Sequence, residues 1–411
     1  MKISMNNIIS KVPAITLYFW IIKVLCTTTG ETFSDFLNVT LNFGLVWTSI
    51  VMGITLLIAL FFQFRTEKYT PGIYWITVVL VSVFGTLVTD NLTDKMHIPL
   101  EYSTLFFSGL LALTFALWYR SEKNLSIHSI FTKRRELFYW LAILFTFALG
   151  TASGDLMAEG LALGYSLTGV IICSVIFIIA IAWKMGMNSI LSFWLIYIMT
   201  RPLGAAFGDY LSQPVKYGGI GLGATNTSII FLLAILALVV FLTLTKKDIV
   251  NTPIDPEPER WELGGLRHTV IVLVILSLVS GVWYFWRQSV LTSPISNSES
   301  TSAIGASVSS AGSGKTTTKV ISVLGDLTVF RTITADTLAL VNAGNIPGAI
   351  TRIADLEHEW DISRARLQPM NGAKWTEIDN GIDAVLRSLR STSPDPATCK
   401  SSLKALLSVL Q

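Results

Sequence analysis

Seven carboxylates standing in otherwise apolar stretches are the residues of this chain whose types and spacing could do chemistry. Glu31 and Asp35, Asp90 and Asp94, and Asp155 and Glu159 are pairs four residues apart, and Asp209 has Gln213 at the same distance. Four residues before each first acid stands Thr27, Thr86, Thr151 or Ala205, and directly before it stands Gly30, Thr89, Gly154 or Gly208. The device recurs every 55–65 residues or so, roughly the length of a hairpin of two membrane helices. Residues i and i+4 share a helix face, so the two acids of a copy point the same way if the helix persists. Carboxylates with Thr hydroxyls and freed carbonyls form an all-oxygen set, which suits hard cations such as Mn²⁺, Mg²⁺ or Ca²⁺.

Two basic residues extend the pattern, Lys23 eight residues before Glu31 and Arg201 eight before Asp209. Seven acids against these two bases leave a formal excess of five negative charges, and gathered in one bundle such acids must take up cations or protons. Glu31, Asp90, Asp155 and Asp209 are therefore the expected primary ligands of a cation, most simply a divalent metal. Asp35, Asp94 and Glu159 are the expected outer relay. Lys23 and Arg201 are expected as counter-ions at mid-membrane depth, where an uncompensated charge costs at least about 2.5 kcal/mol. Binding an anionic substrate is the alternative for that basic pair. Thr27, Gly30, Gly154 and Gly208 have supporting roles, the glycines letting another backbone approach or the helix break. The bland alternative for the acids is a set of solvated helix caps at the membrane surface.

The elements that must position these residues are membrane helices. The 411 residues are 52% hydrophobic and only 14% charged, with a mean hydropathy of +0.59, whereas soluble domains carry about 25% charged residues. Nine apolar segments are long enough to cross a bilayer, at 12–32, 43–64, 73–93, 103–119, 137–158, 161–183, 189–212, 226–245 and 268–286. With the N-terminus inside, the inner segments hold fourteen Lys and Arg residues, whereas the outer loops among the first eight helices hold Lys95 and Lys216. The positive-inside rule then puts the N-terminus in the cytoplasm and the chain after the ninth helix outside. Each acidic device ends an odd-numbered helix near the outer boundary of the hydrocarbon. Pro202, after Arg201, predicts a kink in the seventh helix. The fold class expected is all-α: a polytopic bundle of four two-helix repeats, near 10–64, 70–120, 136–184 and 188–245, plus an anchor helix.

The rest of the chain reads as support. Residues 246–267 are a polar cytoplasmic connector, 268–286 an anchor helix ending in the aromatic run 283–286, and 287–318 a Ser/Gly/Thr-rich tether. Residues 319–411 should form a small helical domain, with helices near 334–341, 346–367, 373–389 and 395–410, Trp360 and Trp375 in the core, and a short strand near 320–324. Asn345 is the expected N-cap of the second of these helices. Gly312-Ser-Gly-Lys-Thr316 resembles the end of a phosphate loop, but Ser309 replaces the leading glycine, so it is assigned to the tether. The acidic run 355–361 reads as the wet face of a helix, and His97 as a loop residue near the second device. Cys26, Cys173 and Cys399 are too few and too scattered for a disulfide framework or a metal site. No basic stripe interleaved with aromatics suggests a nucleic-acid partner. No nucleophile–base arrangement suggests an enzyme, and no cofactor is expected.

The motif Lys23-x3-Thr27-x2-Gly30-Glu31-x3-Asp35, the Gly154-Asp155 and Gly208-Asp209 copies and the helix layout resemble the bacterial uncharacterised membrane-anchored proteins built from a tandem repeat of unknown function. The resemblance covers about residues 10–245. It departs in the second copy, where Thr89 replaces Gly, and in the fourth, where Gln213 replaces the second acid. It implies a multi-pass protein of the bacterial inner membrane and no activity. Residue chemistry alone points to a secondary transporter or exporter of a small cation coupled to protons. Its partners would be membrane lipids, the cation, and a protein bound by the outer domain. The alternative is a non-transporting membrane-anchored sensor or scaffold.

Overall fold

The structure, a computed structural model, describes residues 10–249 apart from 42, 162, 216 and 217, six residues between 281 and 289, and 322–411 apart from 369 and 392. It divides into two compact units, Met1–Val279 and Ser280–Gln411. The expected anchor, connector and tether fall largely outside the described residues.

The described residues of the first unit form eight long helices: α1 (Leu17–Asp35), α2 (Leu45–Arg65), α3 (Pro71–Asp90), α4 (Leu100–Glu122), α5 (Lys133–Asp155), α6 (Tyr165–Lys184), α7 (Ser189–Ser212) and α8 (Gly223–Thr245). Seven of these, α2 to α8, are long and apolar enough to cross a membrane, which makes the chain a multi-pass membrane protein. α1 is not among the seven, for it carries Lys23, Glu31 and Asp35. It also begins later than the span expected at 12–32. Pro13 lacks an N–H and holds its neighbour extended, so the helix starts only after Thr16, whose hydroxyl accepts from the Phe19 N–H.

The odd helices form an inner ring and the even helices an outer one. α1 packs on α3, α3 on α5, α5 on α7, and α7 back on α1. Each even helix leaves the inner helix of its own hairpin and packs chiefly on the next: α2 on α3, α4 on α5, α6 on α7, and α8 on α1, which closes the ring. The apolar windows of α3, α5 and α7 are 56–67% buried, against 17–28% for α2, α4, α6 and α8. The outer helices are accordingly apolar all round, with Leu57, Phe61, Leu105, Phe177 and Leu233 exposed, as lipid contact requires.

The acidic devices stand at the ends of the inner helices, as expected: α1 ends on Asp35, α3 on Asp90, α5 on Asp155 and α7 three residues after Asp209. In three copies the α-helix passes into one wider turn of i→i+5 bonds, which follows the second acid in α1 and contains it after α3 and α5. Leu41 N–H donates to the Phe36 carbonyl (2.9 Å), Met96 to Asn91 (2.9 Å) and Leu161 to Leu156 (2.8 Å). Such turns occur frequently at functional sites. α7 instead runs unbroken from Ser189 to Ser212, with Pro202 inside it.

In the second unit, α9 (Thr328–Asn342), α10 (Ile346–Leu367), α11 (Gly372–Leu389) and α12 (Pro396–Val409) enclose a core of their own. The first of these helices is longer than the expected 334–341. No strand forms among the described residues: Ser322 and Gly325 make one isolated bridge where a strand was expected. Trp360 and Trp375 are fully buried and stacked, with ring centroids 3.9 Å apart. The Asn345 side chain caps α10 by accepting from Gly348 N–H at 2.9 Å. In the acidic run, Asp355 pairs with Arg352 and Glu357 with Arg390.

Candidate functional site

Side chains from all four inner helices meet on the ring axis. Arg201 of α7, 0% exposed, extends across it and ties the other three helices together through one nitrogen. Its Nη2 donates to Glu31 Oε2 on α1 (2.7 Å), to Thr151 Oγ1 on α5 (2.8 Å) and to Thr86 Oγ1 on α3. Thr86 and Thr151 occupy the place four residues before the first acid in their copies. The corresponding Thr27 in α1 turns its hydroxyl to the Thr200 carbonyl of α7 at 3.2 Å. Arg201 thus pairs with the acid of the first copy and not with Asp209 of its own.

Glycines make this convergence sterically possible. A Cβ on Gly85 would lie 2.8 Å from the Phe147 Cβ, and one on Gly150 would run into the Arg201 side chain and lie 3.0 Å from Pro202 Cδ. One on Gly204 would run into Thr27, and one on Gly30 into Ser82. Each inner helix touches the next through such a contact, so the axial side chains can reach one another across the ring. Gly154 and Gly208, singled out by the sequence, make looser contacts, with nearest atoms at 3.4 and 3.2 Å.

The remaining first acids lie around the Arg201–Glu31 pair. Asp209 is buried, and Asp90 and Asp155 are partly exposed. Asp90 lies within electrostatic reach of Asp94, Glu31, Asp155 and Asp35, and Asp209 within reach of Glu31, Asp35, Asp155 and Glu159. Asp90, Asp155 and Asp209 have no hydrogen-bond or ion-pair partner among the described residues, whereas Asp35, Asp94 and Glu159 do interact. The acids are therefore neighbours in charge. No three Asp, Glu, His or Cys side chains among the described residues come close enough to hold one metal ion. The expected direct ligation of a metal by Glu31, Asp90, Asp155 and Asp209 is absent from this arrangement.

Lys23 departs from its expected part as a counter-ion. Its amine is fully buried, has no hydrogen-bond acceptor, and lies 3.6 Å from the Phe147 ring centroid and 4.1 Å from that of Tyr197. Away from the acids the axis is filled with aromatic side chains, among them Phe19, Trp75, Tyr139, Phe193 and Trp194, with Tyr74 and Tyr139 sharing a hydrogen bond of 2.5 Å. The extended segment 10–16 straps this end. Lys11 forms a buried ion pair with Glu136 (2.7 Å), Lys11 N–H donates to the Ile130 carbonyl, and Ala14 N–H donates to the Asp248 carbonyl. Tyr69 donates from its hydroxyl to Asp248 Oδ2 at 2.5 Å, and burial pushes both the Tyr69 phenol and the Asp248 carboxyl up. The polar axis is closed at the strap end and lined with carboxylates at the other.

Sequence reasoning brought Glu31, Arg201 and Thr27 to the site and placed Thr86 and Thr151 in the device without seeing them as partners of Arg201, and it gave no role to Gly85, Gly150 or Gly204. The signal was present: Gly recurs five residues before the first acid in three copies, and Thr recurs four before it in three copies.

A family model described as Repeat of Unknown Function (DUF347) matches residues 18–69, 73–124, 138–186 and 192–248, together just over half of the chain. Each matched segment covers most of one inner helix and all of the outer helix that follows it. No curated protein and no solved structure matches the chain.

Proposed function

The chain belongs to the family defined by that repeat, and we propose that it is a membrane carrier that exchanges a cation for protons. The observation that carries the reading is the ring axis. Four equivalent helices bring Asp90, Asp155 and Asp209 within electrostatic reach of Glu31, and these three have no hydrogen-bond or ion-pair partner among the described residues. Partly buried carboxylates without donors are stabilised only by protons or by cations. Their spacing favours a cation that keeps part of its water shell, divalent ions included, because no three come close enough to strip one bare ion.

In this reading Arg201 is the internal competitor. It holds Glu31 when the site is empty and yields it when a cation or proton arrives, which keeps the axis near neutrality in both states. The aromatic plug and the 10–16 strap close the second exit, and opening there requires the Lys11–Glu136 pair to separate. The orientation we propose has the carboxylate end outside and the strap in the cytoplasm of a bacterial inner membrane, following the basic residues of the loops.

The test is flux. The purified chain in proteoliposomes with an imposed pH gradient is assayed with ²²Na⁺, ⁸⁶Rb⁺ and ⁵⁴Mn²⁺. At least one probe should accumulate against its gradient at a rate above that of empty vesicles, and Asp209→Asn and Asp155→Asn should each lower the rate tenfold or more. If no probe moves, or if both variants match the wild type, the carrier reading fails and a sensor or scaffold takes its place.

A further inference from the structure

Beneath the Arg201–Glu31 pair lies a second, opposite constellation that the cation reading does not use. Three fully buried side chains present hydrogen-bond donors with nothing to receive them: the Lys23 amine, the Tyr197 hydroxyl, and Nε and Nη1 of Arg201. The electrostatic neighbours of Lys23 are Cys26 and Arg201, so no carboxylate offsets it. Among the described residues the acid bonded to this layer is Glu31, which takes the Nη2 edge of Arg201 and leaves its other edge bare. α5 contributes the Phe147 ring to this layer, which accepts no ordinary hydrogen bond. The layer therefore holds several unmet donors, each of which costs about 1–3 kcal/mol when buried without a partner, and a charged Lys23 would leave it with one surplus positive charge.

We infer that this layer holds one small monovalent anion of chloride size, received by Lys23, the free edge of Arg201 and the Tyr197 hydroxyl. A single negative charge balances Lys23, Arg201 and Glu31 together. It also offers the acceptor that these donors lack, and charge-assisted hydrogen bonds of this kind are the strong ones. A polyatomic dianion would over-compensate the layer, and a large anion would have to displace Phe147 and Tyr197, which stand against the amine. The anion fixes Lys23 in its charged form between the two rings, where the cation–π contact adds to its hold. It also pins the face of Arg201 that does not touch Glu31, so that only the Glu31 side is left to exchange.

The experiment is an equilibrium one and needs no flux. The full chain in detergent is brought into sodium gluconate, whose anion is too bulky for the layer, and chloride is titrated in at constant ionic strength. Thermal unfolding is followed by tryptophan fluorescence, and ³⁵Cl line broadening reports contact with the ion. The expected result is a saturable rise in Tm of several degrees with chloride, as binding to the folded form alone requires, together with line broadening. Lys23→Met should abolish both, Tyr197→Phe should weaken the apparent affinity roughly threefold to tenfold, and Lys23→Arg should restore part of it. Asp209→Asn should leave the anion response intact while removing flux, so failure of the carrier reading and failure of this one are separable. Should Lys23→Met not fold, Tyr197→Phe decides alone. An unchanged Tm and line width across the chloride titration overturns the inference. So does an equal chloride response in wild type, Lys23→Met and Tyr197→Phe, which would leave Lys23 as a neutral amine packed among rings.

Discussion

Replacing Glu31 by Gln keeps the shape of the side chain and removes the carboxylate that, among the described residues, is paired with Arg201. The guanidinium is 0% exposed, and its remaining partners would be the Thr86 and Thr151 hydroxyls. Breaking a buried pair from one side leaves an uncompensated charge and costs about 3–5 kcal/mol. Arg201→Met acts from the other side and should cost less, about 1–3 kcal/mol, because the Glu31 it strands is 8% exposed whereas Arg201 is 0% exposed. The double variant Glu31→Gln/Arg201→Met contains no stranded charge, and replacing a whole buried pair is often close to neutral. A double-mutant cycle should therefore show coupling of about 2–3 kcal/mol or more, with the double variant more stable than Glu31→Gln alone. The assay is reversible unfolding in mixed micelles by titration with sodium dodecyl sulfate, followed by tryptophan fluorescence. If Glu31→Gln costs less than about 1 kcal/mol, or the two losses simply add, then Arg201 is not held by Glu31 and the axis is not organised as argued here.

Other expectations concern the ring, the strap and pH. Gly150→Leu and Gly204→Leu should each destabilise by about 1–3 kcal/mol or more through overpacking, whereas Gly109→Leu, which meets open space on α4, should be near neutral; the same unfolding titration checks all three. Glu136→Gln strands the buried Lys11 and should raise hydrogen exchange across residues 10–16 at least tenfold, read by mass spectrometry. Burial raises the Asp248 carboxyl above the usual range, near 3.9 or so, so the folded chain holds that proton more tightly than the unfolded chain. Its stabilising contribution is complete below the unfolded value and fades as pH rises through the raised one. Tm should carry a matching decline on raising pH, and Asp248→Asn should flatten it.

The residues that could be placed from sequence alone were those whose chemistry contradicts a membrane. Lys23, Glu31 and Arg201 stand out because each costs free energy in hydrocarbon unless it is compensated, and two of the three do form the axial pair. Their partners were harder to find. Thr86 and Thr151 carry no charge, and a Thr in a membrane helix usually bonds to its own backbone, as both also do here. That Arg201 reaches across to the first copy, and leaves Asp209 of its own copy alone, follows from ring closure, and helix periodicity says nothing about which helices become neighbours. The same limit explains Lys23: its depth was legible, but the surrounding rings of Phe147 and Tyr197 come from other helices. The wider turns that follow α1, α3 and α5 were hidden for a different reason. A polar stretch at the end of an apolar run looks like a helix end in any count of hydropathy, and the widening turns that carry the helix on are built from backbone bonds.

A closed ring of four repeats imposes a constraint that bears on how the site arose. A position facing the axis in one repeat faces it in all four, so an identical bulky or charged residue there would be placed four times in one space. Eight residues before the first acid the four copies carry Lys23, Ser82, Phe147 and Arg201, no two alike. Five residues before it they carry Cys26, Gly85, Gly150 and Gly204. The two sets are matched in size: Gly85 stands against Phe147, and Gly150 against Arg201. The copy without the glycine precedes the copy with Ser82, the smallest residue of the first set. The acids face the opposite demand, since like charges around an axis can be shared among cations and protons, and there the copies agree. Divergence where space is limiting and repetition where charge is useful are what four-fold packing around one polar axis would select.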